Sequence, residues 1–303
     1  MGSMTRLCRL VAASLCMVWA GGAACAHEHQ DKPIIRWYYQ SFPPLHITDG
    51  PRAGQGFADK ALAYLHARMP DYNHLKVYSS LSRMHGELKV RENACHLGLF
   101  KTPEREEYAY FSDPVIEILP NRLVTLKEKA ARFEPLLTAE GEVDLARLFA
   151  ARHLMYGVEV DRVYSPRISA YTNGHTKADG KVELPNPRFA ALLLHGRIDY
   201  GFAFAFEATY RFNMLEKGDA FTTLPIAGEP ALLMNYVGCS KSEFGAKVIA
   251  DVNKVAKDLR EAHRTFYEEW LDERAIADFR ATVKAELEGT GGAQHRAAVG
   301  LDQ

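Results

Sequence analysis

The order of strand and helix patterns is the feature that most constrains the fold of this chain. Apolar strand patterns at 34–38, 75–78 and 96–100 alternate with segments of helical spacing at 56–69 and 81–90. Strands that alternate with helices predict a mostly parallel sheet with crossover helices. Such a sheet binds ligands at the carboxyl ends of its strands.

A second series of the same kind follows Leu123. Its predicted elements are, in chain order, a helix at 145–151, a strand at 153–158, a polar loop at 169–180, a helix at 187–195 and a strand at 199–204. Two such series predict two α/β lobes. The cleft between two lobes is a favoured position for a small-molecule site, and hinge closure is its usual motion.

After the second series the chain is predicted to return to the first lobe. An apolar strand at 231–240 precedes one long helix, whose apolar face carries Val248, Val252, Val255, Leu259, Phe266 and Trp270. The predicted boundaries are 31–121 plus 232–285 for lobe 1 and 122–231 for lobe 2. The segment 288–303 lacks an apolar period, which predicts a disordered tail.

The first 26 residues have the features of a secretory signal peptide. Arg6 and Arg9 precede an 11-residue run at 10–20 that is apolar except for one serine, and Ala24-Cys25-Ala26 fits a small-residue cleavage site. Cys25 leaves a lipidated form as the alternative, although the large aliphatic residue usual three positions before such a cysteine is absent. We expect cleavage after residue 26 and release into the periplasm.

The charge balance and the cysteine count set two further limits. Removal of 1–26 leaves 35 Lys and Arg against 38 Asp and Glu, so no basic excess marks a nucleic-acid surface. The two cysteines that remain, Cys95 and Cys239, enter an oxidising compartment. They form either a disulfide or two separately buried thiols, and the sequence alone favours neither.

Four motifs occur in the order found in one known protein family. They are Ser41-Phe42-Pro43-Pro44-Leu45, Gly56-Phe57-Ala58-Asp59, the segment from Lys101-Thr102-Pro103-Glu104-Arg105 to Phe111-Ser112-Asp113-Pro114, and Gly196-Arg197-Ile198-Asp199. This series resembles the family 3 extracellular solute-binding proteins, and a divergent branch of them. The resemblance implies a two-lobed type II periplasmic-binding-protein fold. In that fold each lobe is a mostly parallel sheet flanked by helices, and crossing strands form the hinge.

Arg105 is the strongest candidate for a ligand contact. Pro103 suits the first turn of a short helix with Thr102 as its N-cap, and the N–H groups there favour an anion. In the family, the matching arginine clamps the α-carboxylate of the ligand, which implies that role for Arg105. The alternative is a surface arginine paired with neighbouring glutamates.

Other positions depart from the family pattern. The acidic residue that meets an α-ammonium group falls on Phe204, with Glu207 as the nearest carboxylate, and the small residue expected two positions after Gly98 is Phe100. The predicted ligand-binding residues are Arg105, Thr102, Gly98, Phe100, Tyr39, Phe42, Arg162, Tyr164, Phe204 and Glu207. These residues favour a ligand with an anionic end and a flat or apolar body. The alternative for Phe204 is plain core packing.

Catalytic signals are weak throughout the sequence. No nucleophile elbow, zincin motif, Walker A loop or Cys-x-x-Cys pair occurs, and neither a metal nor a cofactor is predicted. Glu207 and Glu159 are the candidates if the fold carries a lyase or dehydratase, a reading based on fold analogy alone. We therefore expect a monomeric non-enzyme that hands a small ligand to a membrane partner, either an ABC permease or a sensor domain.

Overall fold

The computed structural model of the chain describes residues 32–160, 162–184 and 188–289. The predicted signal peptide at 1–26 lies outside the described residues, and so does the predicted tail beyond residue 289. Within the described part, no helix combines the length and the apolar character needed to cross a membrane.

The described residues form ten β-strands. In chain order they are β1 Ile34–Tyr39, β2 Asn73–Tyr78, β3 Ala94–Leu99, β4 Ala109–Ile118, β5 Arg122–Leu126, β6 Tyr156–Glu159, β7 Lys181–Leu184, β8 Tyr200–Ala203, β9 Phe221–Leu224 and β10 Leu233–Ser240. The strands at the sheet centres are almost entirely buried, as expected where helices cover both faces.

Ten α-helices connect and cover these strands. They are α1 Phe57–Arg68, α2 Leu81–Val90, α3 Pro103–Glu106, α4 Leu145–Ala150, α5 Pro166–Thr172, α6 Phe189–Leu194, α7 Ala205–Asn213, α8 Glu243–Asn253, α9 Ala256–Glu268 and α10 Glu273–Leu287. Side-chain oxygens of Ser80, Asp144 and Asp272 accept backbone N–H bonds at the starts of α2, α4 and α10. Two 3-10 helices, Lys127–Leu136 and Lys177–Asp179, complete the set.

The strands form two separate five-stranded sheets. The first has the order β2-β1-β3-β10-β4 and belongs to lobe 1, and the second has the order β7-β6-β8-β5-β9 and belongs to lobe 2. In each sheet one strand, β10 or β5, runs antiparallel to both neighbours, while the other four share one direction. The predicted two-lobed α/β fold with mostly parallel sheets is confirmed.

The chain crosses between the sheets twice, from β4 to β5 and from β9 to β10. The helix α10 contacts both lobes: Ala275 and Phe279 lie in the core of lobe 1, while Asp272 accepts a 2.6 Å hydrogen bond from Thr223 of β9. The residue boundaries predicted for the lobes stay a prediction.

Three details of the sequence prediction are wrong. The single long helix after β10 is two helices, because α8 ends at Asn253 and Val255 leaves the helical conformation, with φ −121° and ψ 1°, before α9. The predicted loop 169–180 holds the second half of α5, which Ser165 caps and Pro166 opens. The strand predicted at 153–158 begins only at Tyr156.

Candidate functional site

A cavity lies between the two lobes, at the carboxyl ends of β1 and β3. The part of this cavity that is accessible to the centre of a water molecule has a volume of about 60 Å³. Five of the ten predicted ligand-binding residues line the cavity: Phe42, Gly98, Phe100, Arg105 and Phe204. Sequence reasoning missed four further lining residues that matter for its chemistry, His46, His96, Phe206 and Asn235.

Arg105 is held in the cavity wall by its short helix. Thr102 caps α3, as predicted, and its hydroxyl oxygen accepts a bond from the Arg105 backbone N–H at 3.3 Å. The guanidinium Nη1 donates to the carbonyl oxygen of Phe100 at 3.0 Å. Only 6% of the arginine is exposed, so the alternative of a surface arginine is wrong. Because α3 is one turn long, the guanidinium, not the helix end, supplies the positive charge.

The Pro-Pro loop and the start of α1 are locked together. The backbone N–H groups of Phe57 and Ala58 each donate a 3.0 Å bond to loop carbonyls, at Pro44 and Leu45. A Cβ atom at Gly56 would lie 2.4 Å from the Leu45 carbonyl oxygen, so this close approach requires glycine. Two of the motifs behind the family resemblance are therefore one structural unit.

That unit places His46 in the cavity wall with Asp59 behind it. Nδ1 of His46 lies 2.9 Å from Oδ1 of Asp59, and both side chains are buried. The Asp59 carboxylate also accepts bonds from the Ile47 N–H and from Lys76 Nζ. Burial alone would raise the pKa of Asp59, but these bonds, led by that of His46, hold it below its ordinary value. An ionised carboxylate only accepts, so Nδ1 of His46 carries the hydrogen.

His96 projects from β3 into the same cavity. Its Nδ1 lies 2.7 Å from the backbone carbonyl oxygen of Tyr38, which can only accept, so Nδ1 carries the hydrogen there too. Burial lowers the pKa of His96 to about 4, which keeps the ring neutral at neutral pH. Its Nε2 is therefore a hydrogen-bond acceptor.

Asn235 lines the cavity from β10 and is 3% exposed. Its Nδ2 has no hydrogen-bond partner within the described part of the chain. The pairing of β10 with β4 changes register between Asn235 and Tyr236, and the pairing with β3 changes register one residue later. Bulges of this kind redirect side chains and are frequent beside functional sites.

Gly98 contributes to the cavity through its backbone. Its φ of +100° lies in a region that favours glycine, and nothing lies within 4 Å of the position that a Cβ atom would take. The regular geometry of β3 is therefore interrupted at this residue, next to Leu99 and Phe100, which line the cavity. The conformation, not a shortage of space, explains the glycine.

The predicted cation Arg162 and the predicted carboxylate Glu207 pair with each other. Nη1 and Nη2 of Arg162 donate to the two carboxylate oxygens of Glu207 at 2.9 and 2.6 Å, and Nη2 also donates to Asn121 at 3.2 Å. Arg211 bonds to Glu159, which also accepts from Arg162. Burial alone would raise the pKa of Glu207, but the arginine charges hold it below its ordinary value.

Three other predicted residues, Tyr164, Tyr39 and Thr102, do not line the cavity. The hydroxyl of Tyr164 accepts a 3.1 Å bond from the Glu159 N–H in the core of lobe 2. Tyr39 packs its ring 5.5 Å from that of His46. Thr102 serves as the helix cap. Phe204 packs in a core, as its alternative predicted, and it also lines the cavity, so its contact with a ligand stays a prediction.

Comparison with known proteins finds solved structures of similar architecture. No family model matches the sequence, and no curated protein matches it. Solved structures do match: an ancestral cationic amino acid solute-binding protein (14% identity, TM-score 0.57), the second substrate-binding domain of Lactococcus lactis GlnP in its open conformation (13%, 0.56), and a histidine kinase sensor domain with similarity to periplasmic binding proteins (15%, 0.51). Each match covers 79% of this chain and 96% of the other.

The chain has the two-lobed fold of periplasmic binding proteins. Its structural relatives include an amino-acid solute-binding protein, as the sequence resemblance predicted. Two further observations concern the cysteine pair and metal binding. The sulfur atoms of Cys95 and Cys239 are bonded, which joins β3 to β10 across 144 residues of sequence. Among the described residues, no group of three or more His, Cys, Asp or Glu side chains could hold a metal ion.

Proposed function

We propose that this protein is a periplasmic solute-binding protein that holds a small carboxylate-bearing ligand between its lobes. The observation that carries the proposal is the buried guanidinium of Arg105 in the wall of the inter-lobe cavity. A guanidinium grips a carboxylate through two parallel hydrogen bonds. The rings of Phe42, Phe100 and Phe204 would cover the apolar body of the ligand.

The lobe-2 ion pairs argue for a ligand other than a standard α-amino acid. Glu207 is the nearest carboxylate to the position where the family binds an α-ammonium group, and both of its oxygens bond to Arg162. The same pairing argues against a lyase or dehydratase. A carboxyl group whose pKa is lowered by two arginines is a poor proton donor.

The membrane partner follows from the fold relatives. One relative is the second substrate-binding domain of GlnP, and another is a histidine kinase sensor domain. We infer delivery of the ligand to an ABC permease, with a sensor protein as the second candidate. Cross-linking in intact cells followed by mass spectrometry distinguishes them, because permease subunits are captured in the first case and a sensor kinase or cyclase in the second.

Thermal unfolding with a panel of small carboxylates tests the ligand proposal. A ligand present at a hundred times its Kd stabilises the folded state by about 2.7 kcal/mol, a rise in Tm of roughly 5–10 °C for a chain of this size. Arg105→Gln should abolish the rise, while the same substitution at the exposed Arg83 of α2 should leave it unchanged. Equal responses of wild type and Arg105→Gln would contradict the proposal.

A further inference from the structure

We propose that the cavity selects a small hydroxy acid, whose hydroxyl group bonds to His96 Nε2 and to the side-chain amide of Asn235. This inference rests on the proposed function for the carboxylate, which pairs with Arg105. It adds the hydroxyl group and the two residues that recognise it. Both residues come from lobe 1, on the neighbouring strands β3 and β10.

The first support is the unpaired amide of Asn235. A buried amide without a partner costs free energy, and such groups in folded proteins usually have a reason. Here Asn235 lines a cavity, and a change of strand register follows it directly in the pairing of β10 with β4. Nδ2 of Asn235 can donate a hydrogen bond to an oxygen atom of a ligand.

The second support is the fixed orientation of His96. Because its Nδ1–H donates to the Tyr38 carbonyl group, its Nε2 can only accept in the neutral ring. No described residue donates to that atom, and His96 lines the same cavity as Asn235. A ligand that satisfies both residues must donate one hydrogen bond and accept another.

A hydroxyl group meets this requirement, whereas an ionised carboxylate and an ammonium group do not. A plain carboxylic acid has no donor for His96 once it is ionised. An ammonium group has donors but no acceptor for Nδ2 of Asn235. After burial, the positive charge of Arg105 also helps to keep His96 neutral, and the same charge opposes a cationic group beside it.

The size of the cavity favours a small member of this class. Each water molecule needs about 10–15 Å³ of the volume accessible to its centre, so a cavity of about 60 Å³ has room for about four to six positions of that size. An acid of the size of lactate matches this space. The apolar side chains that complete the lining suit its methyl group.

Calorimetric titration with lactate, propionate and alanine tests the inference. The three compounds share a carbon skeleton and differ in the second carbon, which carries a hydroxyl group, only hydrogen or an ammonium group. We expect lactate, as one enantiomer, to bind at least tenfold more tightly than propionate, and alanine to bind most weakly. In Asn235→Leu and His96→Phe the ratio between lactate and propionate should fall to near one, while propionate keeps its affinity.

The ratio separates recognition from a structural role, because a distorted cavity would weaken both acids together. In addition, Asn235→Leu should raise the Tm of the protein without ligand by roughly 2–4 °C, since it removes an unpaired buried amide. Equal affinities of wild type for lactate and propionate, or tighter binding of alanine, would overturn this inference and leave the proposed function intact. Binding of none of a broad carboxylate panel would overturn the proposed function and this inference with it.

Discussion

The two walls of the cavity have opposite chemistry. Lobe 1 supplies its polar groups, with Arg105, His96 and Asn235 all facing the same space. Among the described residues, lobe 2 supplies only the rings of Phe204 and Phe206. The lobes are of similar construction, each with four strands in one direction and one against them, so the difference lies in the side chains.

Lobe 2 is not poor in charge, but its charges bond to each other. Glu159, Glu207, Arg162 and Arg211 form one buried network, and the guanidinium carbon of Arg162 lies 5.5 Å from the centre of the Phe204 ring. The charges therefore lie behind the ring that lines the cavity. This contrast indicates that lobe 1 recognises the polar groups of a ligand and that lobe 2 covers it.

Breaking the lobe-2 network should have the largest effect on stability. In Glu207→Gln the side chain keeps its size, but Arg162 loses the carboxylate that accepts two of its bonds, at a cost of about 3–5 kcal/mol in the free energy of unfolding. Urea unfolding measures the loss. Glu183→Gln is the control, because its carboxylate is exposed and should change stability by less than about 0.5 kcal/mol.

The same variant sharpens the contrast between the walls. If recognition belongs to lobe 1, the remaining folded Glu207→Gln protein keeps the wild-type affinity ratio between lactate and propionate. A changed ratio at unchanged stability would show instead that the network contacts the ligand.

The disulfide should have the next largest effect, and it belongs to lobe 1. It joins β3 to β10 beside His96, and loss of such a link costs about 2–5 kcal/mol. Replacement of Cys95 and Cys239 by alanine should lower the free energy of unfolding by that amount. It should also weaken the binding of lactate more than the binding of propionate. A reductant should reproduce the loss in wild type and change nothing in the double variant. Wild type that unfolds identically with and without reductant would argue against the bond.

The sequence predicted the lining residues of the cavity only where residues close in sequence set their position. Arg105 and Phe42 lie in short motifs whose geometry is set within a few residues, by the Thr102 cap and by the bonds between the Pro-Pro loop and α1. Asn235 could not be found this way. It reaches the cavity because β10 inserts between β3 and β4, more than a hundred residues away in sequence.

The predicted role of Arg162 depended on information that a sequence does not contain. A basic residue near a cleft is predicted to contact an anion unless carboxylates neutralise it, and the carboxylate that accepts two of the bonds of Arg162 is 45 residues distant. The break between α8 and α9 had no signal in the sequence, because the apolar spacing continues through Val255.

Acid should destabilise lobe 1 through its buried histidines. His263 on α9 has no hydrogen-bond partner for either ring nitrogen in the part of the chain that the structure describes, and burial lowers its pKa to about 3. His66 and His96 have pKa values lowered to about 4 for the same reason. In the unfolded chain each histidine titrates near 6.5, so the unfolded state binds the proton first as the pH falls.

Stability is therefore fully present above about pH 6.5 and falls as the pH drops towards 4, by about 1.4 kcal/mol per pH unit for each histidine. In His263→Phe one such contribution should disappear, so urea unfolding at pH 7 and pH 5 should differ less than in wild type. His153→Gln, at an exposed position of lobe 2, is the control and should retain the wild-type slope. Identical slopes in wild type and His263→Phe would mean that His263 is hydrated or paired in solution.

The smallest effect is expected where lobe 2 touches lobe 1. Phe206 of α7 is fully buried against the rings of Phe42, Phe57 and Tyr267, all from lobe 1. Phe206→Leu keeps an apolar side chain there and loses these ring contacts, at a cost of about 1 kcal/mol in the free energy of unfolding.

If lobe 2 contributes only an apolar cover, Phe206→Leu weakens the binding of lactate and of propionate by the same factor, so the ratio of the two affinities does not change. Asn235→Leu makes the opposite change: it removes the preference for lactate and raises stability. The two variants therefore compare the two cavity walls directly. Calorimetry measures the affinity ratio between lactate and propionate, and urea unfolding measures the stability. A Phe206→Leu protein that loses its preference for the hydroxyl group would show that the aromatic wall positions the ligand for His96 and Asn235, and the division of labour between the lobes would be wrong.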